Sequence, residues 1–159
     1  MKHLPLTFLL ASAVSLGLVG FVKAEDTPSN MPAASQDSLG AARAAIAAKD
    51  WRKAIGELNG VVKSEPRNAD AHNLLGYSHR KQATPNLAKA FEHYKTALQI
   101  DPKHLGAHEY IGEVYLMDRK PAEAEKHLTA LEQLCGNKTC EEYVDLAKAL
   151  SDYWAKNPG

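Results

Sequence analysis

An all-α fold assembled from repeated helix hairpins is what this sequence predicts, and three observations predict it. Beyond residue 36 no stretch alternates polar and apolar residues as a strand does, and Ala, Leu, Lys and Glu abound. The apolar residues recur at three and four, the helical period. Over that period lies a longer one. Ala90, Tyr94, Ala97 and Pro102 are spaced by 4, 3 and 5, and the same spacing runs through Ala54, Leu58, Val61 and Pro66, and through Ala124, Leu128, Leu131 and Gly136.

The elements follow in chain order. Residues 1–24 hold an early cation (Lys2), an apolar run from Leu4 to Val22, and small residues at Val22 and Ala24. This is the pattern of a secretory signal peptide, with cleavage expected after Ala24; an uncleaved N-terminal anchor is the alternative. Cleavage leaves 135 of the 159 residues, enough for one domain with a modest core. It removes two lysines and no acid, shifting the formal charge from 0 to −2, which argues against a nucleic-acid partner. No second apolar stretch approaches the roughly 20 residues of a membrane span, and Glu25 stands where a lipoprotein anchor has its cysteine. Residues 25–36 are polar with two prolines, the composition of a disordered leader.

The helical region is expected over 37–159. Its repeat units fall at about 35–68, 69–104 and 105–138. The first opens on an Ala-rich helix with Ala41-Ala42 in place of an apolar-Gly pair. In the second, Leu75-Gly76 precedes the spaced set, and two extra residues fall in 82–86, where Thr84 is placed to cap the next helix and Pro85 to open it. In the third, Ile111-Gly112 and Tyr115 stand upstream, and the unit ends in Gly136 instead of Pro. Small residues at Gly76, Gly112, Ala54, Ala90 and Ala124 let paired helices approach within about 8–10 Å. Tyr143, Leu146, Ala147 and Leu150 then form one stripe of a closing helix over about 140–155, with Thr139 and Glu142 at capping-box spacing.

These residues resemble the tetratricopeptide repeat, whose 34-residue unit carries an apolar-Gly-x-x-Tyr run in its first helix. Its second helix carries Ala-x-x-x-Phe/Tyr-x-x-Ala, followed by Pro. The resemblance covers about residues 35–138. It implies a right-handed α-solenoid of three hairpins plus the C-terminal cap, and a concave groove lined by the first helix of each unit. Carried over position by position, the ligand-facing places fall on Arg43 in the first unit, beside Leu39, Gly40, Ile46 and Ala47. In the second they fall on Asp70, Asn73, Tyr77, Arg80 and Lys81, and in the third on Glu109, Tyr110, Glu113, Leu116 and Met117. The groove is expected to have a basic middle and an acidic, aromatic end, suited to an extended peptide or a partner helix. The carboxylate clamp of chaperone-binding family members is absent: Leu39, Arg43, Gly106 and Tyr110 stand where it needs Lys, Asn, Lys and Arg.

Cys135 and Cys140 flank the turn before the cap. In an oxidising compartment they form an even set with one pairing, a disulfide clamping the cap. Redox exchange and metal binding are the alternatives, although the spacing is not Cys-x-x-Cys and zinc wants four ligands. Six histidines remain after cleavage. His93 and His127 hold equivalent places in successive units and are expected on one outer surface; His72 and His79 are expected between helices; His104 and His108 are four apart. No three or four of them obviously converge, so neither a metal nor another cofactor is expected.

No phosphate loop, His-Glu-x-x-His or Gly-x-Ser-x-Gly elbow occurs. The reading is therefore a non-catalytic periplasmic interaction module or scaffold for another periplasmic or membrane-complex protein, not inserted in a membrane after cleavage. Self-association through the exposed first unit is a further possibility. The rival reading is a metal-handling or redox accessory protein using Cys135, Cys140 and the surface histidines.

Overall fold

The structure, a computed structural model, describes residues 38–158; the expected signal peptide and leader lie outside the described residues. Seven helices follow one another: α1 (Gly40–Ala47), α2 (Trp51–Ser64), α3 (Ala69–Arg80), α4 (Leu87–Ile100), α5 (Leu105–Met117), α6 (Pro121–Cys135) and α7 (Glu141–Lys156). The described residues hold no strand, and none of their helices is long and apolar enough to cross a membrane. The helices pack as three antiparallel pairs, α1 with α2, α3 with α4 and α5 with α6, while α7 lies against α5 and α6. This is an all-α helical solenoid with an added end helix.

The starts of α2, α3, α4 and α5 share one recurring device. Asp50, Asn68 and Asn86 each accept a hydrogen bond from the backbone N–H three residues on, at 3.0, 2.9 and 3.1 Å, which satisfies an orphan donor of the first turn. His104 does the same with ring Nδ1, 3.1 Å from the Ala107 nitrogen. Two capping expectations are corrected here. Asn86, not Thr84, caps α4, and Pro85 lies outside the helix. The phase of α4 follows from burying Ala90, Tyr94 and Ala97, and that phase leaves Thr84 too far upstream. Likewise α7 has no side-chain cap: its N-cap is Cys140, and the Thr139 hydroxyl donates instead to Asn137 Oδ1 at 2.8 Å.

Helix ends differ between units. Lys49 and Arg119 close α1 and α5 with φ of 57° and 59°, and their N–H groups donate to the carbonyls of Ile46 and Leu116. Gly136 takes the left-handed φ of 68° after α6, the conformation glycine adopts at least cost.

The core is a chain of three clusters, each joining neighbouring helices. Leu39, Ala42, Leu58, Val61, Ala71 and Leu75 tie α1 and α2 to α3. Ala90, Tyr94, Ile111 and Val114 tie α4 to α5. Leu116, Ala124, Leu131, Leu146 and Leu150 tie α5 and α6 to α7. Leu58, Leu75, Ile111, Leu131 and Leu146 are fully buried, each contributing about 1.5–3 kcal/mol. Two glycines make the close approaches possible. A Cβ on Gly76 would sit 2.6 Å from Cε1 of Tyr94, and one on Gly112 would sit 2.6 Å from Cδ2 of Leu146.

Candidate functional site

The residues carried over from the repeat pattern fall on α1, α3 and α5, and the structure brings a subset of them together. Tyr77 on α3 and Tyr110 on α5 meet with ring centroids 5.2 Å apart. Trp51 stands edge-on to Tyr77 at 6.1 Å, and Tyr94 lies behind Tyr110 at 6.1 Å. The Arg80 guanidinium sits 5.5 Å from the Tyr77 centroid and 5.1 Å from that of Tyr110, and it is ion-paired with Glu113 of α5. Arg80 is only 7% exposed. A cation so buried persists because a carboxylate and two ring faces replace its water.

The charge pattern of the groove therefore differs from a row of solvated side chains. Its basic middle is largely neutralised, since Arg80 is spent on Glu113. Lys81 remains exposed, 5.5 Å from the Tyr77 ring, and Arg43 is exposed on α1. Asn73 is buried, while Asp70 is exposed and its Oδ1 lies 3.0 Å from Nε2 of His104. Glu109 is 6% exposed. Burial, and then the Asp145, Glu142 and Glu141 carboxylates on α7, push its carboxyl up to about 7, against the opposing pull of Arg80. Burial beside Glu109 and Tyr77 likewise pushes the Tyr110 phenol up to about 12.

At the cap end the groove opens into a cleft of about 350 Å³. Leu116, Met117, Ala149 and Tyr153 form its apolar walls, the Arg80–Glu113 pair lines one side, and Asp152, Lys156 and Asn157 complete the rim. Met117 is 45% exposed. Leu116 and Met117 follow from the repeat pattern, whereas Ala149, Asp152, Tyr153, Lys156 and Asn157 do not, because the apolar pattern of the last helix marks only its core-facing stripe. The apolar stripe of α7 faces the core through Leu146 and Leu150, and Ala149 and Tyr153, flanking that stripe, turn into the cleft.

Residues 39–104 match the Tetratricopeptide repeat family profile. These residues carry tetratricopeptide repeats. The match spans the first two hairpins; the third repeats their construction, with Gly112 in the place of Gly76 and Ala124 in that of Ala90. No curated protein matches the chain. Tetratricopeptide repeats mediate protein–protein interaction and are as a rule non-catalytic.

The histidines of the tetratricopeptide array pair within their units: His93 and His127 each meet a histidine of the preceding helix, and His72 and His79 pack between helices as expected. Nδ1 of His72 lies 3.3 Å from Nδ1 of His93, and Nδ1 of His108 lies 2.9 Å from Nδ1 of His127. The outer nitrogens of His72 and His108 meet the Pro66 and Pro102 carbonyls at 3.2 and 3.0 Å. His79 stacks on His93 and Tyr115 on His127. Burial and the neighbouring imidazole hold both His93 and His127 down to about 4. His104 and His108 belong to the same helix, the first as its cap.

Cys135 and Cys140 form a disulfide with Cα atoms 6.3 Å apart. Glu142 lies near both sulfurs, but sulfurs bonded to each other offer no thiolate to a metal.

Proposed function

We propose that this tetratricopeptide array is an exported, non-catalytic binding module that holds a segment of a partner protein in its inner groove. The export reading rests on the signal-like residues 1–24, and with it goes a periplasmic location and a periplasmic or membrane-complex partner. The binding reading rests above all on one observation, the apolar cleft between the C-terminal ends of α3 and α5 and the last turns of α7. A Leu, Met or Phe side chain of the partner fills that cleft, and its backbone runs along the Tyr77–Tyr110 platform. The tyrosines offer contact area at small entropic cost, and the Arg80 guanidinium beside them is already paired with Glu113. The disulfide supports the rival metal or redox reading less well, because it removes both thiols from the ligand set.

The test is a display selection of peptides against the folded chain, followed by titration of the selected peptides. Met117→Asp, which places a charge in the apolar wall, and Tyr77→Ala are each expected to lower affinity at least tenfold. Val144→Ser, on an exposed face of α7 outside the cleft, is expected to leave it unchanged. Peptides that bind both Met117→Asp and Tyr77→Ala as tightly as the parent chain would move the site elsewhere.

A further inference from the structure

The second and third hairpins carry the same pair of imidazoles, one from each helix, with Nδ1 facing Nδ1. The outer Nε2–H of His72 donates to the Pro66 carbonyl and that of His108 to the Pro102 carbonyl. A proton held on Nε2 leaves Nδ1 of that ring as a lone pair aimed at its partner. Anchoring the far ring nitrogen on a backbone carbonyl is also how metal-ligating histidines are oriented. A tetrahedral zinc ion with Zn–N bonds of about 2.0–2.1 Å places two imidazole nitrogens about 3.3 Å apart. The observed separations are 3.3 and 2.9 Å. Both rings of each pair are half-buried; the nearby Glu92 and Glu123 carboxylates are ion-paired with Lys89 and Lys126, so the two ring nitrogens are the ligands each site offers.

We propose that His72 with His93, and His108 with His127, form two equivalent sites for a divalent transition ion of the zinc class, each ion held by the two Nδ1 atoms and completed by solvent. Binding forms two N–metal bonds and displaces two waters from the hydrated ion. His93 and His127 move their proton from Nδ1 to the outer Nε2 through solvent, so both rings stay neutral and no net proton is released. Cu²⁺ binds the same ligands more tightly than Zn²⁺. The sites are independent of the groove and of the disulfide.

The experiment is equilibrium dialysis of the untagged full chain against Zn²⁺ near pH 7.5, after stripping with chelator and with the disulfide intact. Two ions per chain are expected for the parent, one for His93→Phe, one for His127→Phe and none for the double variant. His104→Gln, at a histidine paired with Asp70 instead, is expected to keep two. Nitrogen NMR is expected to move the Nδ1 signals of all four rings and the Nε2 signals of His93 and His127, which gain the proton, while the Nε2 signals of His72 and His108 stay in place. A parent chain that retains no zinc, or a double variant that retains both ions, overturns the proposal. Should a phenylalanine variant lose its helical circular dichroism, His72→Gln and His108→Gln replace it with the same expected loss of one ion each.

Discussion

Position 109 places a glutamate at 6% exposure between Arg80 of α3 and the Glu141, Glu142 and Asp145 carboxylates of α7. Its carboxyl is pushed from 4.5 up to about 7, so folding takes up a proton between those values. The stability this contributes is fully present below 4.5 and is lost as the pH rises through 7. Glu109→Gln is expected to match the parent near pH 4.5 and to become progressively more stable than it toward pH 8, read from urea midpoints at matched pH. A difference that stays constant or narrows over that range would contradict this origin. Caps separate at the same scale. Asn86→Ala is expected to cost about 1 kcal/mol because the Lys89 N–H loses its acceptor. Thr84→Ala, outside the helix, is expected to be neutral within about 0.5 kcal/mol in the same urea titration. The sequence suggested Thr84 as the cap with Pro85 opening the helix, and the burial phase of α4 moves the start to Asn86.

At the scale of elements, the two apolar-glycine pairs decide how closely helices approach, and they were legible in the spacing. The partners across each contact were not. Gly76 faces the ring of Tyr94 from its own hairpin, whereas Gly112 faces Leu146 of the cap helix. Tyr94 is fully buried and rigid, so Gly76→Ala forces a backbone shift and is expected to cost about 1–3 kcal/mol. The Leu146 side chain ends in mobile methyls, so Gly112→Ala is expected to cost less and to loosen α7 selectively. Thermal unfolding ranks the two, and hydrogen exchange in α7 shows whether the loosening is local. Equal losses with no change in α7 exchange would mean that the contacts are not what limits these helices.

For the whole molecule, each core cluster joins only neighbouring helices, so stability is the sum of local interfaces and the ends are weakest. The disulfide acts at one such end. Closing so short a loop restrains the unfolded chain by only about 2 kcal/mol, but it holds Cys140 at the start of a helix that has no side-chain cap. Reduction is therefore expected to raise amide exchange in α7 well before that in α3 and α4, and to lower the unfolding midpoint modestly. Uniform acceleration along the chain would mean that the cap is not a separate unit.

The sequence by itself determined the fold class. Period, small-residue spacing and repeat length are local properties, and a solenoid is built from local contacts, so Gly76, Tyr94, Gly112 and Cys135 with Cys140 were all readable in one dimension. Tertiary structure alone decided the chemistry of the surfaces. Whether Arg80 is a solvated cation or a buried one depends on Glu113 thirty-three residues away, and whether His93 faces His127 or His72 depends on how two helices of one hairpin meet. The cleft exists only because α7 turns Ala149 and Tyr153 toward Leu116 and Met117. Such pairings arise across helix interfaces, where charge, burial and ring contacts are set by side chains far apart in the chain, and a pattern read along a single strand of residues carries no record of them.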